Sequence, residues 1–326
     1  MINLTQSLLD WYDVNGRIMP WRFKGAAPDV YPVWISEIML QQTTVGTVVD
    51  YFLRWMKRFP DLETLARADV NEVLHLWQGL GYYTRAKKIH ECAKVVMDKY
   101  DGVFPKSRVE LLKLPGIGPY TASSICAFAF NLPETVVDGN VIRVVARLYG
   151  MTKEVDKDII YPLAEKLTSQ ERAADYASAI MDLGAVICKP QNPQCLLCPW
   201  KDACIANQKG IQDKIPLIKK PLKRKAEGGI FLAYDDKGRL LLTKREKGLL
   251  SGLYEFPWNI DGFMPPFTAQ WKKTDKIVRH VFTHIDYTAN LYIAHNVKKS
   301  DGLFVFPSDL KNYALSTLMK KVLKLI

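Results

Sequence analysis

Ser107-Arg108-Val109-Glu110, followed by Leu114-Pro115-Gly116-Ile117-Gly118 and Pro119, decides how the first part of this chain folds. Ser107 stands three residues before Glu110, the spacing of a capping box that opens a helix, and Pro119 suits the first turn of the next one. The glycines let the intervening turn come close to another backbone. Free N–H groups at the following helix start can then receive a phosphate without reading base sequence. A plain αα-turn explains the proline and glycines but not the whole pattern, so a DNA-binding helix-hairpin-helix is expected near residues 107–130.

Outward from this hairpin, the first two hundred residues read as successive helices, with apolar residues three and four apart. They are broken at Pro60-Asp61, Gly79-Leu80-Gly81 and Asp101-Gly102. Beyond them, Lys219-Lys220-Pro221-Leu222-Lys223-Arg224-Lys225 is charged and proline-interrupted, the composition of a solvated linker. Alternating runs follow at Gly229 to Tyr234, Leu240 to Thr243, Ile277 to Phe282 and Tyr287 to Ala294, which predict strands, with a closing helix near Leu315 to Leu325. The expected organisation is a helical domain over 1–208, a basic linker over 209–228, and an α+β domain over 229–326.

Four of the six cysteines fall in Cys188-x6-Cys195-x2-Cys198-x5-Cys204, too close and too polar in setting for a core. Four thiolates suit either tetrahedral zinc or an iron–sulfur cluster. Zinc sites of this kind usually carry two Cys-x2-Cys knuckles, and here only the middle pair has that form. Cys188 follows a predicted helix, Tyr176 to Ile187, and the other three lie on a loop punctuated by Pro190, Pro193 and Pro199. That layout fits a cubane in a 188–204 loop better than zinc, and two disulfides less well than either, since the opening Leu4, Leu8, Leu9, Trp11 and Tyr12 form an amphipathic pattern rather than a leader. The expected compartment is the cytoplasm.

The 326 residues suit two cores, and the longest apolar stretch, Ile125 to Phe130, is far too short for a bilayer. No membrane partner is expected. The net charge is +11, yet residues 1–204 hold 23 basic and 23 acidic side chains, so the excess lies entirely downstream. Charge alone therefore does not nominate the helical part as a nucleic-acid binder.

Leu114 to Ala122, then Val137-Asp138-Gly139-Asn140-Val141, then the cysteine loop, together resemble the endonuclease III superfamily of base-excision DNA glycosylases. Trp34-Ile35-Ser36-Glu37-Ile38-Met39-Leu40-Gln41-Gln42-Thr43 and Met181-Asp182-Leu183-Gly184-Ala185 are similar to the MutY-type adenine glycosylases within it. So are Gly248 to Pro257 and His280 to His284, which shorter superfamily members lack. The resemblance implies an all-α helix-hairpin-helix glycosylase domain with a [4Fe-4S] loop, then a Nudix-like domain. It also implies a monomeric, monofunctional enzyme that removes adenine opposite 8-oxoguanine or guanine in double-stranded DNA.

Breaking a purine N-glycosidic bond passes through a cation-like sugar, so one carboxyl must protonate the base and another must oppose the sugar's charge. Glu37, in an apolar run, has surroundings that raise a carboxyl's pKa, although a helical Glu more often faces solvent. The resemblance assigns it as the acid. Asp138 precedes the helical run Val141 to Leu148 and is an ordinary N-cap by position, a place that suits a counter-charge. By resemblance it is the sugar-facing carboxylate, with Asn140 orienting it.

Tyr120 stands where strand-cleaving relatives carry lysine, and a phenol forms no Schiff base, which predicts little lyase activity. The resemblance places Arg17, Trp21, Arg22, Leu40 and Ser178 around the adenine and Gln42 and Tyr82 in the opened helix, with Thr43 also expected on DNA; Gly116 and Gly118 of the hairpin are expected on its backbone, and Arg85, Lys87 and Lys88 form a phosphate patch or a wet helix face. Phe282, Thr283 and His284 correspond to the segment that senses 8-oxoguanine. Two departures stand out: Ser178 where Gln or Glu is usual, and Thr283 for Ser. The first keeps open a glycosylase for another mispaired base, and a non-cutting 8-oxoguanine binder is the alternative from a different class. The second domain lacks the glutamate run that Nudix hydrolases use for metal, so nucleotide hydrolysis is not expected.

Overall fold

The structure, a computed structural model, describes residues 3–22, 29–217, 222–298 and 301–326. Lys219, Lys220 and Pro221 of the expected linker lie outside the described residues. Helices α1 (Leu4–Asn15), α2 (Val30–Leu40), α3 (Val45–Arg58), α4 (Leu62–Arg67), α5 (Val70–Leu76), α6 (Thr84–Lys99), α7 (Arg108–Leu111), α8 (Pro119–Phe130), α9 (Gly139–Leu148), α10 (Lys157–Glu165), α11 (Ala173–Asp182) and α12 (Ile205–Gln208) precede any strand. Strands β1 (Arg224–Ala233), β2 (Leu240–Lys244), β3 (Tyr254–Glu255), β4 (Lys272–Val281), β5 (Ile285–Ala294) and β6 (Leu303–Val305) follow, and α13 (Thr317–Leu323) closes the chain. Among the described residues no helix is long and apolar enough to cross a membrane.

The chain divides into two compact units. One comprises residues 1–66 and 91–219. The other joins residues 67–90 to 220–326, so the segment that carries Tyr82 belongs with the sheets.

In the first unit α2 is buried on every side, from Tyr31 through Met39, so it runs through the interior beside α8 and takes Ser36 and Glu37 with it. Its start is set by Asp29, whose side chain accepts from the Tyr31 amide, and Pro32 falls inside the first turn. A second core gathers Leu8, Leu9 and Tyr12 of α1, the inward face of α9, and Tyr176, Ile180 and Leu183. The hairpin forms, with Pro119 leading α8 and Gly116 at φ 77°. Its capping box does not. Ser107 makes no side-chain cap bond, α7 lasts four residues, and Glu110 turns instead to Lys113 at 2.6 Å. The helix predicted from Tyr176 to Ile187 begins earlier, at Ala173, and its last turn, Leu183–Ile187, widens into a π-helix.

In the second unit β1 and β5 pair in parallel and β4 lies antiparallel on β5, while β3-β2-β6 form the other sheet. Ile230, Leu232, Leu240, Leu242, Tyr287 and Leu291 meet Leu318, Met319 and Val322 of α13 in its core. All four predicted strands are present, but β1 starts at Arg224, within the stretch read as linker. The short β3 and β6 carry too few residues for alternation to reveal them. Phe282, predicted at the end of a strand, lies in the turn between β4 and β5, which its N–H closes onto the Ile285 carbonyl at 2.7 Å.

Candidate active site

Three elements of the first unit bring Glu37, Tyr120 and Asp138 together. Glu37 points from α2 and is 6% exposed. Burial is the main influence on its carboxyl and pushes the pKa up to about 7, with the Asp138 carboxylate adding to the rise and the Ser124 and Tyr120 hydroxyls and Arg22 opposing it. The Tyr120 phenol donates to Glu37 Oε2 at 3.2 Å. Its own pKa is raised, first by burial and then by the charges of Glu37 and Asp138. Tyr120 also packs against Ala127, Val136 and Ala177, so it serves the core and the site at once.

Asp138 is the N-cap of α9: Oδ1 accepts from the Val141 N–H and Oδ2 from Asn140 Nδ2, both at 2.8 Å. Arg143, one turn on, carries no motif that marks it in the sequence. It donates to Asn140 Oδ1 at 2.8 Å, to the Gly184 carbonyl at 2.7 Å and to the Cys188 carbonyl at 2.7 Å. A continuous set of hydrogen bonds thus runs from Asp138 to the backbone of the first cysteine. Gly184 makes this approach feasible, since an added Cβ would sit 2.7 Å from Asn140 Cβ. Gly184→Ala is therefore expected to displace Asn140 and cost about 1–3 kcal/mol in a denaturant titration, and adenine release should fall further than that loss of folded protein explains.

Asp182 is fully buried at the end of α11, and nothing local in the sequence marks it out. Arg22 grips both its oxygens at 2.8 and 2.9 Å, and Arg17 donates through its backbone N–H at 2.9 Å and its Nε at 2.7 Å. Burial pushes this carboxyl upward, but the Arg22 and Arg17 contacts outweigh it and leave the pKa below the usual range. The two arginines read as pocket wall are thus committed to a buried carboxylate. Ser178, one turn before Asp182, is 5% exposed, and Trp21 is buried edge-on against Phe52 at 5.3 Å. Leu40 is half-buried at the end of α2.

Gln42 is exposed at φ 61° just past α2, with Thr43 half-buried beside it. Left-handed backbone is costly for a side-chain-bearing residue and often marks functional positions. Gly118 is different. It has ordinary extended backbone, and a Cβ there would meet nothing within 4 Å, so the chain's own packing does not require glycine. The helix-hairpin-helix expectation of an external backbone at the α8 N-terminus would account for the glycine. Gly118→Ala should cost no more than about 1 kcal/mol of stability, yet weaken duplex binding measured by fluorescence anisotropy.

Cys188, Cys195, Cys198 and Cys204 are unpaired and half-buried, and burial, with the nearby Cys188, Cys204 and Cys195 adding to it, raises the pKa of the Cys198 thiol. Arg147, only 2% exposed, ties this loop down by donating to the carbonyls of Cys188, Lys189, Pro190 and Ile215 and to Cys188 Sγ at 3.4 Å. Among the described residues no three metal-ligating side chains close on a single-ion point. Four unpaired thiols on one loop, with Arg147 donating to one sulfur, are nevertheless the donor type that an iron–sulfur cluster takes.

In the second unit Tyr82 is 47% exposed at φ 47°, and its phenol and the Thr283 hydroxyl share a 2.5 Å hydrogen bond. Thr283 and His284 are exposed at the β4–β5 turn. Arg85, read as a phosphate contact, instead donates to the Leu80 and Gly81 carbonyls and stacks over Trp77 and Tyr82 at 5.2 and 5.3 Å. Burial lowers its pKa to about 10. Lys87 donates to Ser251 at 3.2 Å.

Residues 35–170 match the profile of the HhH-GPD superfamily base excision DNA repair proteins, and residues 229–325 match a NUDIX domain. A solved thermostable thymine-DNA glycosylase superimposes with a TM-score of 0.57 at 29% identity, covering 63% of this chain and 95% of that one. An adenine DNA glycosylase of Buchnera aphidicola (subsp. Schizaphis graminum) is 34% identical over 99% of this chain and 97% of its own, and one from Rattus norvegicus is 30% identical over 98% and 77%. The fold and the paired carboxylates define a helix-hairpin-helix base-excision glycosylase with an appended Nudix-like domain. Within that class, the chain belongs to the adenine DNA glycosylase family.

Proposed function

We propose that this enzyme hydrolyses the N-glycosidic bond of adenine opposite 8-oxoguanine, less readily opposite guanine, in duplex DNA, and leaves an abasic site. The observation that carries the reading is the buried Glu37, able to hold a proton near neutral pH, beside an N-capping Asp138. Glu37 gives its proton to the departing purine, whose ring takes the electron pair of the breaking C1′–N bond. Asp138, held by Val141 and Asn140, opposes the charge that grows on the sugar. Water then adds to C1′, and its proton restores the Glu37 acid. With a phenol rather than an amine at Tyr120, no Schiff base forms.

Gln42, Thr43 and Tyr82 are assigned to the opened helix, Gly116 and Gly118 to its backbone, and Thr283 with Phe282 and His284 to the oxidised guanine. The four cysteines would hold a [4Fe-4S] cluster, which supplies no electrons to a hydrolysis and would act through structure or DNA affinity. The enzyme is taken to work as a monomer.

Single-turnover base release from duplexes carrying A:8-oxoguanine, A:G, A:T or T:G tests the assignment. Fastest release from the first supports it. Release mainly from T:G would assign the pocket around Ser178 to another base, and tight binding without release would make the chain a damage reader.

A further inference from the structure

The residues read as sensing the opposite base form the three-residue connection between β4 and β5, and two of them, Thr283 and His284, are exposed. The turn's aromatic anchor is Phe282, and what Phe282 rests on decides where the Thr283 hydroxyl stands. Trp258 lies beneath it, 8% exposed, nearly parallel to Phe282 at 17° with ring centroids 6.1 Å apart. His280 meets Phe282 edge-on at 4.5 Å, and Tyr287 packs at 5.4 Å from Trp258 and 6.2 Å from Phe282.

Trp258 is itself fixed from below. Its indole N–H donates to Glu255 Oε2 at 2.8 Å, and Glu255, 5% exposed, receives Arg245 Nε on both oxygens at 2.7 and 2.8 Å. The Arg245 guanidinium also lies 4.8 Å over the Trp258 ring. A half-buried ion pair contributes little net stability compared with apolar packing, and this one is read as holding an orientation. The Tyr287 hydroxyl closes the base of the pile by donating to the Asn259 carbonyl at 2.6 Å.

We propose that Trp258, locked by Glu255 and Arg245, is a positioning residue for opposite-base specificity: it sets the Phe282-Thr283-His284 turn so that the Thr283 hydroxyl distinguishes 8-oxoguanine from guanine. This rests on the reading above that the turn contacts the opposite base. The two bases differ at one edge, where 8-oxoguanine carries a carbonyl at C8 and a hydrogen on N7. One hydroxyl separates them only when placed to hydrogen-bond tolerance, because a misplaced donor leaves both bases equally served. The Tyr82–Thr283 hydrogen bond in the same unit makes that placement consequential for the residue assigned to the opened helix.

The test compares adenine release from A:8-oxoguanine and A:G duplexes by the wild type, Trp258→Leu, Trp258→Phe and Glu255→Gln. Trp258→Leu should lower the 8-oxoguanine-to-guanine rate ratio about tenfold while A:G release persists. Trp258→Phe, which keeps a ring under Phe282, should recover part of the ratio. Glu255→Gln keeps an acceptor for the indole but loses the Arg245 pair, and gives an intermediate ratio; it also serves if Trp258→Leu does not fold. A ratio unchanged in folded variants, or both rates falling together, would overturn the inference. A wild type with no preference between the two duplexes would instead sink the 8-oxoguanine reading on which it rests.

Discussion

Asp138→Asn should reduce adenine release by about a thousandfold while duplex affinity and melting temperature change little. The two effects separate because Asp138 has two duties. As an N-cap it needs one oxygen for the Val141 N–H, and asparagine caps as well as aspartate. As the proposed partner of a sugar cation it needs negative charge, which the amide lacks. Turning the Asn140 amide to suit the new neighbour gives up its bond from Arg143, but the Arg143 contacts to the Gly184 and Cys188 carbonyls should survive. Single-turnover kinetics and a binding isotherm on the same duplex read the two duties independently. Equal loss of binding and turnover would mean that Asp138 acts only through the fold.

Glu37→Gln should also abolish turnover, by about 10²–10⁴-fold, yet stabilise the protein at alkaline pH. The folded state raises this carboxyl from its ordinary 4.5 to about 7. The folded chain thus holds the proton at pH values where the unfolded chain has released it. Its favourable contribution is complete below the unfolded value and is lost as pH rises through about 7. Above that point the buried charge costs on the order of 3 kcal/mol. Glutamine carries no charge, so the variant's melting temperature should exceed the wild type's at pH 8 and lose that advantage near pH 5. Wild-type turnover should fall on the alkaline side of about pH 7 as Glu37 loses its proton. Absence of both trends would show that Glu37 stays ionised and cannot be the acid.

Local motifs mark some of the candidate site residues in the sequence, and the resemblance supplies their proposed roles. Asp138 is legible as a cap, Pro119 and the glycines as a hairpin, and the apolar run around Glu37 as a buried helix. What escaped the sequence depends on long-range pairing. Asp182 is an unremarkable acidic residue until α11 brings it against Arg17 and Arg22, more than 150 positions earlier. Arg143 and Arg147 resemble any basic pair one turn apart, and only folding shows that they hold the backbone of the cysteine loop. Periodicity likewise could not foresee the π-turn at Leu183–Ile187, which depends on how the end of α11 meets Cys188. In the second unit the run up to Pro257 was legible by resemblance, while Trp258, the next residue, gains its role from the ring stacked upon it.

The most direct test is a time course on one labelled duplex with a single adenine opposite 8-oxoguanine, followed by chromatography for free base and by gel with and without alkali. Two carboxylates and a phenol at Tyr120 predict stoichiometric free adenine, a strand that breaks only after alkali, and no borohydride-trapped protein–DNA adduct. Strand breaks without alkali together with a trapped adduct would contradict that chemistry, and an intact duplex with bound protein would contradict the assignment as an enzyme.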